Sequence, residues 1–166
     1  MKKIIVAILT ALVFLGCSSD KAAQNAEPKL VVDKSLSDLK LNDQFAKPQT
    51  IDADTKTVIF AFSKDVGHTC NDFFASKGES YLKDHKAVFV ADVSAAPSLI
   101  RSMFIMPGLE EFKHTILVID DADISAQYKP AHNDEKIVVV SVDNKKITAI
   151  EFLNSTDELD KKLQDN

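Results

Sequence analysis

The sequence predicts an α/β fold: a mixed β-sheet with helices on both faces and a hairpin extension at its N-terminal side. Short apolar runs alternate with stretches of helical spacing, and such crossovers join parallel strands. Two later strand-like runs flank the turn 143–146 and predict an antiparallel hairpin. The 150 residues after the first 16 are enough for one domain with its own core.

The predicted core strands are runs without charge. Residues 57–62, 87–91 and 115–119 are short and almost entirely apolar, as expected of strands buried on both faces. Ahead of them, residues 39–41 and 48–51 predict a small hairpin or a pair of edge strands.

The first predicted helix occupies residues 70–83. Its aromatic residues recur at helical spacing, although Gly78 weakens its middle. Residues 63–69, which include Gly67, are expected to form a loop. Cys70 would then lie at the N-terminus of this helix.

A second helix is predicted to start near Pro97, a residue favoured in a first helical turn, and to end or kink at Pro107 and Gly108. We expect its inward apolar face to be formed by Leu99, Ile100, Met103 and Phe104. The stretch from Met103 to Met106 is interpreted as core, since Met fills irregular core space.

The C-terminal part predicts two further helical segments. Residues 121–128 form a short helix or turn, and Ser155 with Glu158 forms a capping box for the last helix. Leu159 and Leu163 are expected on the inner face of that helix.

The first 16 residues predict a secretory signal. Lys2 and Lys3 precede an uncharged run, residues 4–15. This run of 12 residues is too short for a membrane-spanning helix, which needs about 20, but it suits the apolar region of a signal peptide.

The junction Leu15-Gly16-Cys17 resembles the lipobox of bacterial lipoproteins. The resemblance implies that Cys17 is lipidated and that the chain divides into a signal peptide (1–16), a lipidated N-terminus with a flexible tether (17–35) and a domain (36–166). The alternative is an ordinary cleavable signal that happens to contain a cysteine.

The location implied is the cell envelope, with the membrane as a partner through the lipid anchor and an envelope protein as a further possible partner. Ser18 after the cysteine resembles the outer-membrane sorting signal of enteric lipoproteins, facing the periplasm in a Gram-negative cell. A Gram-positive surface stays open.

The charge of the chain argues against nucleic acid. Removal of Lys2 and Lys3 from the 20 basic residues leaves 18 against 25 acidic ones, a mature net charge of −7. Arg101 is the only arginine. An acidic chain with one arginine lacks the basic patch that binds phosphates, so no nucleic acid is expected.

Four segments resemble, in order and spacing, the peroxiredoxin branch of the thioredoxin superfamily. They are LKLNDQFAKPQTI, FAFSKDVGHTC, ILVIDDADISAQY and VVVSVDNKKITAI. The resemblance implies a thioredoxin-like domain and places Cys70 at the family's peroxidatic position.

The sequence departs from that family at the redox site. Ser63 replaces a proline, Gly67 replaces a threonine, and Lys136 is the cation nearest to Ile137, where the family has an arginine. No C-x-x-C motif is present, and residues 113–115 lack the proline that precedes a strand in redox-active thioredoxins.

Cys70 is the candidate reactive residue. A helix N-terminus favours a thiolate, and His68 could assist it. Two hypotheses therefore stay open: a binding or structural module without catalysis, or a one-cysteine thiol peroxidase or oxidoreductase that uses Cys70. An exposed thiol facing a cation would favour the enzyme.

No metal or other cofactor is expected. The four histidines, His68, His85, His114 and His132, lack ligand spacing. Asp120, Asp121 and Asp123 lack the glycine and glutamate of a calcium loop and predict a solvated turn. No G-x-G-x-x-G motif indicates a dinucleotide site, and the oligomeric state cannot be deduced from the sequence.

Overall fold

The computed structural model describes residues 26–165, which form one seven-stranded sheet and a set of short helices. The strands are β1 (Lys40–Asp43), β2 (Pro48–Thr50), β3 (Thr57–Ala61), β4 (Ala87–Asp92), β5 (Ile116–Ile119), β6 (Ile137–Asp143) and β7 (Lys146–Leu153). The helices are α1 (Lys64–Lys77), α2 (Tyr81–Asp84), α3 (Ser98–Ile100), α4 (Met106–Glu110), α5 (Ala122–Tyr128) and α6 (Thr156–Gln164). A π-helical turn, Arg101–Ile105, joins α3 to α4.

The strands lie in the order β2-β1-β5-β4-β3-β6-β7. β3, β4 and β5 are parallel, and every other neighbouring pair is antiparallel. The carboxyl ends of the three parallel strands therefore share one end of the sheet. β6 starts at that same end because it runs antiparallel to β3.

Helices cover both faces of the sheet, as the sequence predicted. On one face α1, α4 and α6 pack on a core that includes Phe74, Phe89 and Leu159. On the other face α5 and the N-terminal segment pack on a core that includes Phe60 and Leu36. The central strands β3 and β5 are buried at every position, which explains their continuously apolar sequences.

The two predicted hairpins are present. β1 and β2 join the sheet edge beside β5, where the buried Gln44 side chain donates to the carbonyl of His114 at 2.8 Å and accepts from the amide of Ile116 at 2.9 Å. Between β6 and β7, Asn144 and Lys145 both adopt positive φ, as a two-residue hairpin turn requires.

The N-terminal segment contacts the domain before its predicted start at Leu36. The amide of Lys29 donates to the carbonyl of Gln127 at 2.8 Å, and that of Asp33 donates to Ile147 at 2.9 Å. Leu30 packs against the core that includes Phe60 and Leu36. The residues from Lys29 onward are thus hydrogen-bonded to the folded chain, although the sequence placed 29–35 in a tether.

The predicted boundaries of the first helix are wrong. α1 begins at Lys64, because the Ser63 hydroxyl accepts from the amide of Val66 at 3.4 Å and caps the helix. Residues 64–69 are therefore helical and do not form a loop. Gly78, with φ of 101°, ends α1 and does not lie in its middle.

The predicted inward face of the second helix is also wrong. Its four apolar residues, Leu99, Ile100, Met103 and Phe104, point to solvent. Ile105, Met106 and Leu109 pack on the core instead. This helix is apolar on two sides, so periodicity alone did not show which side faces inward. Helix α4 continues past Pro107 to Glu110, in agreement with the short continuation towards Phe112 that the sequence allowed.

Candidate functional site

The candidate site lies where β3 ends and α1 begins, at the carboxyl end of the parallel strands. The first turn of a helix lacks intrahelical partners for its backbone amides and is the place where a helix favours an anionic group. The residues there are Ser63, Lys64, Asp65 and Val66. No thiol is among them.

Cys70 lies deeper in α1 and is buried. It follows the N-cap Ser63 by seven residues and is 0% exposed in the core with Val66 and Phe74. Burial raises the pKa of the Cys70 thiol to about 12. Cys70 thus does not lie at the helix N-terminus as predicted, where a thiolate would be favoured, because the effect of a helix terminus fades within its first turn and an apolar core disfavours the charged form.

His68 and Cys70 lie on different sides of α1. The two residues are two apart on one helix, so their side chains point in different directions. His68 is exposed while Cys70 is buried. Lys136, the predicted nearest cation, directs its amine to the side-chain oxygen of Asn154. Gly67 lies on α1 with open space where a side chain would begin.

A shallow groove of about 180 Å³ opens beside the start of α1. It is lined by Asp65, Val66, Thr69, Glu135, Ile137, Leu153 and Asn154. The Ser63 hydroxyl donates to a carboxylate oxygen of Glu135 at 3.2 Å, which ties the loop before β6 to the helix start. The groove therefore carries carboxylates and an amide where a thiol chemistry would need a sulfur and a cation.

The loop before β6, and not the segment 113–115, faces the start of α1. Sequence reasoning looked for a proline before the third core strand, β5, but β5 runs parallel to β3 and begins at the far end of the sheet. The neighbour that begins beside α1 is β6, preceded by Asp134, Glu135 and Lys136. None of the peptide bonds in residues 26–165 is cis.

Sequence reasoning missed a buried polar pair close to Cys70. His114 is 2% exposed, and its Nε2 lies 3.0 Å from the side-chain oxygen of Asn71 on α1. The rings of Phe74, Phe89 and Phe112 surround the imidazole. Burial lowers the pKa of His114, so the neutral ring donates from Nε2 to Asn71. The pair joins α1 to the start of β5.

Of the three aspartates after β5, Asp121 has a structural role. Asp121 caps α5, since its carboxylate accepts from the amides of Asp123 at 2.8 Å and Ile124 at 3.0 Å. Asp120 and Asp121 also line an open groove of about 370 Å³ beside the first hairpin. Within residues 26–165 no three His, Cys, Asp or Glu side chains lie close enough to hold a metal ion.

Cys17, the predicted lipidation site, lies outside the described residues. Among those residues, no helix has the length and apolar character needed to span a membrane.

No family model and no curated protein matches the sequence. Solved structures do match. The thioredoxin domain of a thiol-disulfide oxidoreductase from Bacteroides vulgatus superposes with a TM-score of 0.52 at 14% identity, covering 82% of this chain and 97% of that chain.

Two further structures are similar. A peroxiredoxin-like protein from Aquifex aeolicus has a TM-score of 0.52 at 11% identity, covering 84% of this chain and 90% of that chain. The pneumococcal exposed lipoprotein thioredoxin from Streptococcus pneumoniae has a TM-score of 0.51 at 13% identity, covering 77% and 98%. Identities this low show the fold alone. The chain has a thioredoxin-like fold, which confirms the predicted fold class.

Proposed function

We propose that this protein is a lipid-anchored component of the cell envelope whose thioredoxin-like domain has a binding or structural role without redox catalysis. The single observation that carries the proposal is the burial of Cys70 inside α1, with no thiol in the first turn of that helix. The start of α1, where a redox-active thioredoxin would carry its cysteine, has the hydroxyl of Ser63 and the carboxylates of Asp65 and Glu135 instead.

Peroxide reduction needs a thiolate, room for the peroxide beside it, and donors or cations that stabilise the developing charge. Cys70 meets none of these needs in its buried position. Its pKa of about 12 leaves the thiol protonated at neutral pH. The alternative proposal, a one-cysteine peroxidase or oxidoreductase, would require α1 to open before it could react.

The anchor part of the proposal is supported by the apolar run that ends at Cys17. A lipid on the Cys17 thiol would be the attachment. The exposed lipoprotein thioredoxin of Streptococcus pneumoniae is a similarly folded protein. By the same comparison, the domain here would lie outside the cytoplasm on a tether.

Hydrogen peroxide consumption tests the non-catalytic role. The full chain, reduced and purified in detergent, is mixed with hydrogen peroxide and excess dithiothreitol at neutral pH. We expect the rate to equal that of dithiothreitol alone and to be unchanged in Cys70→Ser. Turnover that exceeds the blank and is lost in Cys70→Ser would reject the proposal in favour of the peroxidase.

A matched variant guards against an artefact of folding. Ser76→Cys places a thiol on the exposed side of the same helix. It should be oxidised by peroxide at the rate of an ordinary free thiol, which shows that the assay detects an accessible cysteine on α1. Equal reactivity of Cys70 and the introduced thiol would also contradict the proposal.

A further inference from the structure

The helix that follows β4 presents an unpartnered apolar face. Leu99, Ile100, Met103 and Phe104, here called the apolar face, are 64%, 42%, 58% and 64% exposed. Leu99 with Met103 and Ile100 with Phe104 are pairs four residues apart, which neighbour each other on a helix. The four side chains therefore form one continuous apolar patch.

The fold does not need the apolar face for its own core. The opposite side of the same helix supplies Ile105, Met106 and Leu109 to the core. One side of the helix is therefore packed on the core, and the other side exposes four large apolar side chains. Exposed patches of this kind mark surfaces that contact a protein or a membrane.

The sequence segment that carries the apolar face differs in charge from the rest of the chain. Residues 93–108 contain no acidic residue and one cation, Arg101, although the mature chain carries a net charge of −7. The Arg101 guanidinium donates to the carbonyls of Ser94 at 3.0 Å and Ala96 at 2.7 Å, which holds it against the loop before the helix. The nearest acidic residues along the chain are Asp92 and Glu110.

We infer that the apolar face lies in the interface of the lipid bilayer to which the chain is anchored, so that the domain rests on the membrane by the end of the sheet where β4 terminates. This inference rests on the anchoring proposed above. Large apolar side chains held at a protein surface bind a bilayer by entering the boundary between its headgroups and acyl chains. The mature net charge of −7 on each copy opposes self-association of the chain through this face.

The length of chain before the described domain permits this contact. Ser18 to Lys29 comprises 12 residues, which span at most about 40 Å when extended. A domain of 140 residues is roughly 40 Å across. The attachment at Cys17 therefore allows any face to reach the bilayer, and the face whose transfer from water is favourable decides the orientation.

The test uses the absence of tryptophan from the sequence. Phe104→Trp places the only tryptophan on the apolar face, and Phe45→Trp places it at a control position that is 50% exposed. Phe45 lies in the turn between β1 and β2, beside the start of β5 and so at the opposite end of the sheet. The full chain is produced in bacteria, purified from membranes in detergent, and reconstituted into phosphatidylcholine vesicles with or without brominated acyl chains.

We expect the emission of Phe104→Trp to shift to the blue and to lose intensity in brominated vesicles, while Phe45→Trp keeps the emission of a solvated tryptophan in both. Emission of Phe104→Trp that is solvated and unquenched overturns the inference. A blue shift without quenching by bromine also overturns it, because the face is then covered by protein, either a second copy or the chain's own N-terminus.

Failure of the anchor is distinguished by flotation of the vesicles. Protein that does not float with them lacks the attachment, which rejects both the anchoring and the membrane contact. Protein that floats with unquenched Phe104→Trp keeps the anchoring and rejects the contact alone.

Discussion

At the scale of single residues, the hydrogen bond between Asn71 and His114 is a buried polar contact on the face of the sheet covered by α1, α4 and α6. Each group is buried, and each satisfies the other at 3.0 Å. Removal of one partner leaves a buried polar group without a hydrogen bond, which costs roughly 1–3 kcal/mol. The same burial makes the stability of the domain sensitive to protonation of His114.

Acid should therefore destabilise the domain through His114. The pKa of His114 is lowered by burial, so the unfolded chain binds a proton that the folded chain refuses. The contribution is complete above the unfolded pKa of about 6.5 and is lost as the pH falls below it. Between about pH 7 and pH 5 we expect a loss of up to about 2 kcal/mol, measured by urea unfolding.

His114→Gln removes the titration and keeps an amide donor, so its stability should fall less over the same range. The matched control is His68→Gln, since His68 is exposed on α1. It should follow the wild-type pH dependence. Identical pH profiles for wild type and His114→Gln would contradict the role given to the buried imidazole.

The residue of most chemical interest, Cys70, could be named from the sequence but not placed. A loop over 63–69 made it a first-turn residue, and the same cysteine becomes a core residue once α1 starts at Lys64. The burial of His114 and its hydrogen bond to Asn71 could not be predicted from the sequence either. Its partner Asn71 is distant in sequence, and a lone histidine before a strand carries no local signal of burial.

At the scale of elements, α1 owes its ends to Ser63 and Gly78. Ser63 accepts the amide of Val66, and Gly78 adopts a φ of 101° with ψ of 163°, a conformation available essentially to glycine alone. Sequence reasoning gave Gly67 the weight of a loop signal. In the structure Gly67 is an ordinary helical position, which the Ser63 cap could have indicated because serine is strongly preferred there.

The two glycines of α1 should respond in opposite directions to alanine. Gly67→Ala should stabilise the domain by about 0.5–1 kcal/mol, because the position is helical and the added methyl group meets nothing within 4 Å. Gly78→Ala should destabilise it by about 1–3 kcal/mol through backbone strain. Urea unfolding of the two variants and wild type measures both. Destabilisation by Gly67→Ala would show that α1 does not begin at Lys64.

The helix after β4 shows where periodicity stops being informative. Two apolar sides are present, and the π-helical turn Arg101–Ile105 lies between α3 and α4. The inward side is chosen by tertiary contacts of Leu109 and Met106, which no local pattern displays. The last helix was predictable, since Ser155 accepts from the amide of Glu158 at 3.3 Å and Leu159 and Leu163 are fully buried.

At the scale of the whole molecule, the succession of strands along the chain was predictable because uncharged runs mark the buried strands and the hairpin turns carry their own signals. β3, β5 and the turn between β6 and β7 lie where the sequence placed them. Which strand begins beside α1 could not be predicted from the sequence, because it depends on the long-range pairing of β6 with β3. Because of that pairing, Glu135 before β6 lies beside Asp65 at the start of α1, and both line the candidate site.

The attachment of the molecule to a membrane is tested by Cys17→Ala. We expect the wild type to incorporate labelled palmitate and to sediment with membranes, and the variant to do neither, because the substitution removes the thiol to which the lipobox resemblance assigns the lipid. Cys70→Ala is the matched control and should sediment as wild type. A Cys17→Ala chain that still sediments, with no label in the wild type, would reject the lipid anchor.

The central claim, that the one cysteine of the thioredoxin-like domain is part of the core, is tested most directly by alkylation of Cys70. The full chain is treated with iodoacetamide at about pH 8, folded or in urea, and the modified Cys70 peptide is quantified by mass spectrometry. Because burial raises the pKa of Cys70 to about 12 and hides its sulfur, the folded protein should react far more slowly than the unfolded chain. A folded protein that reacts as fast as the unfolded chain, or faster, would contradict the account.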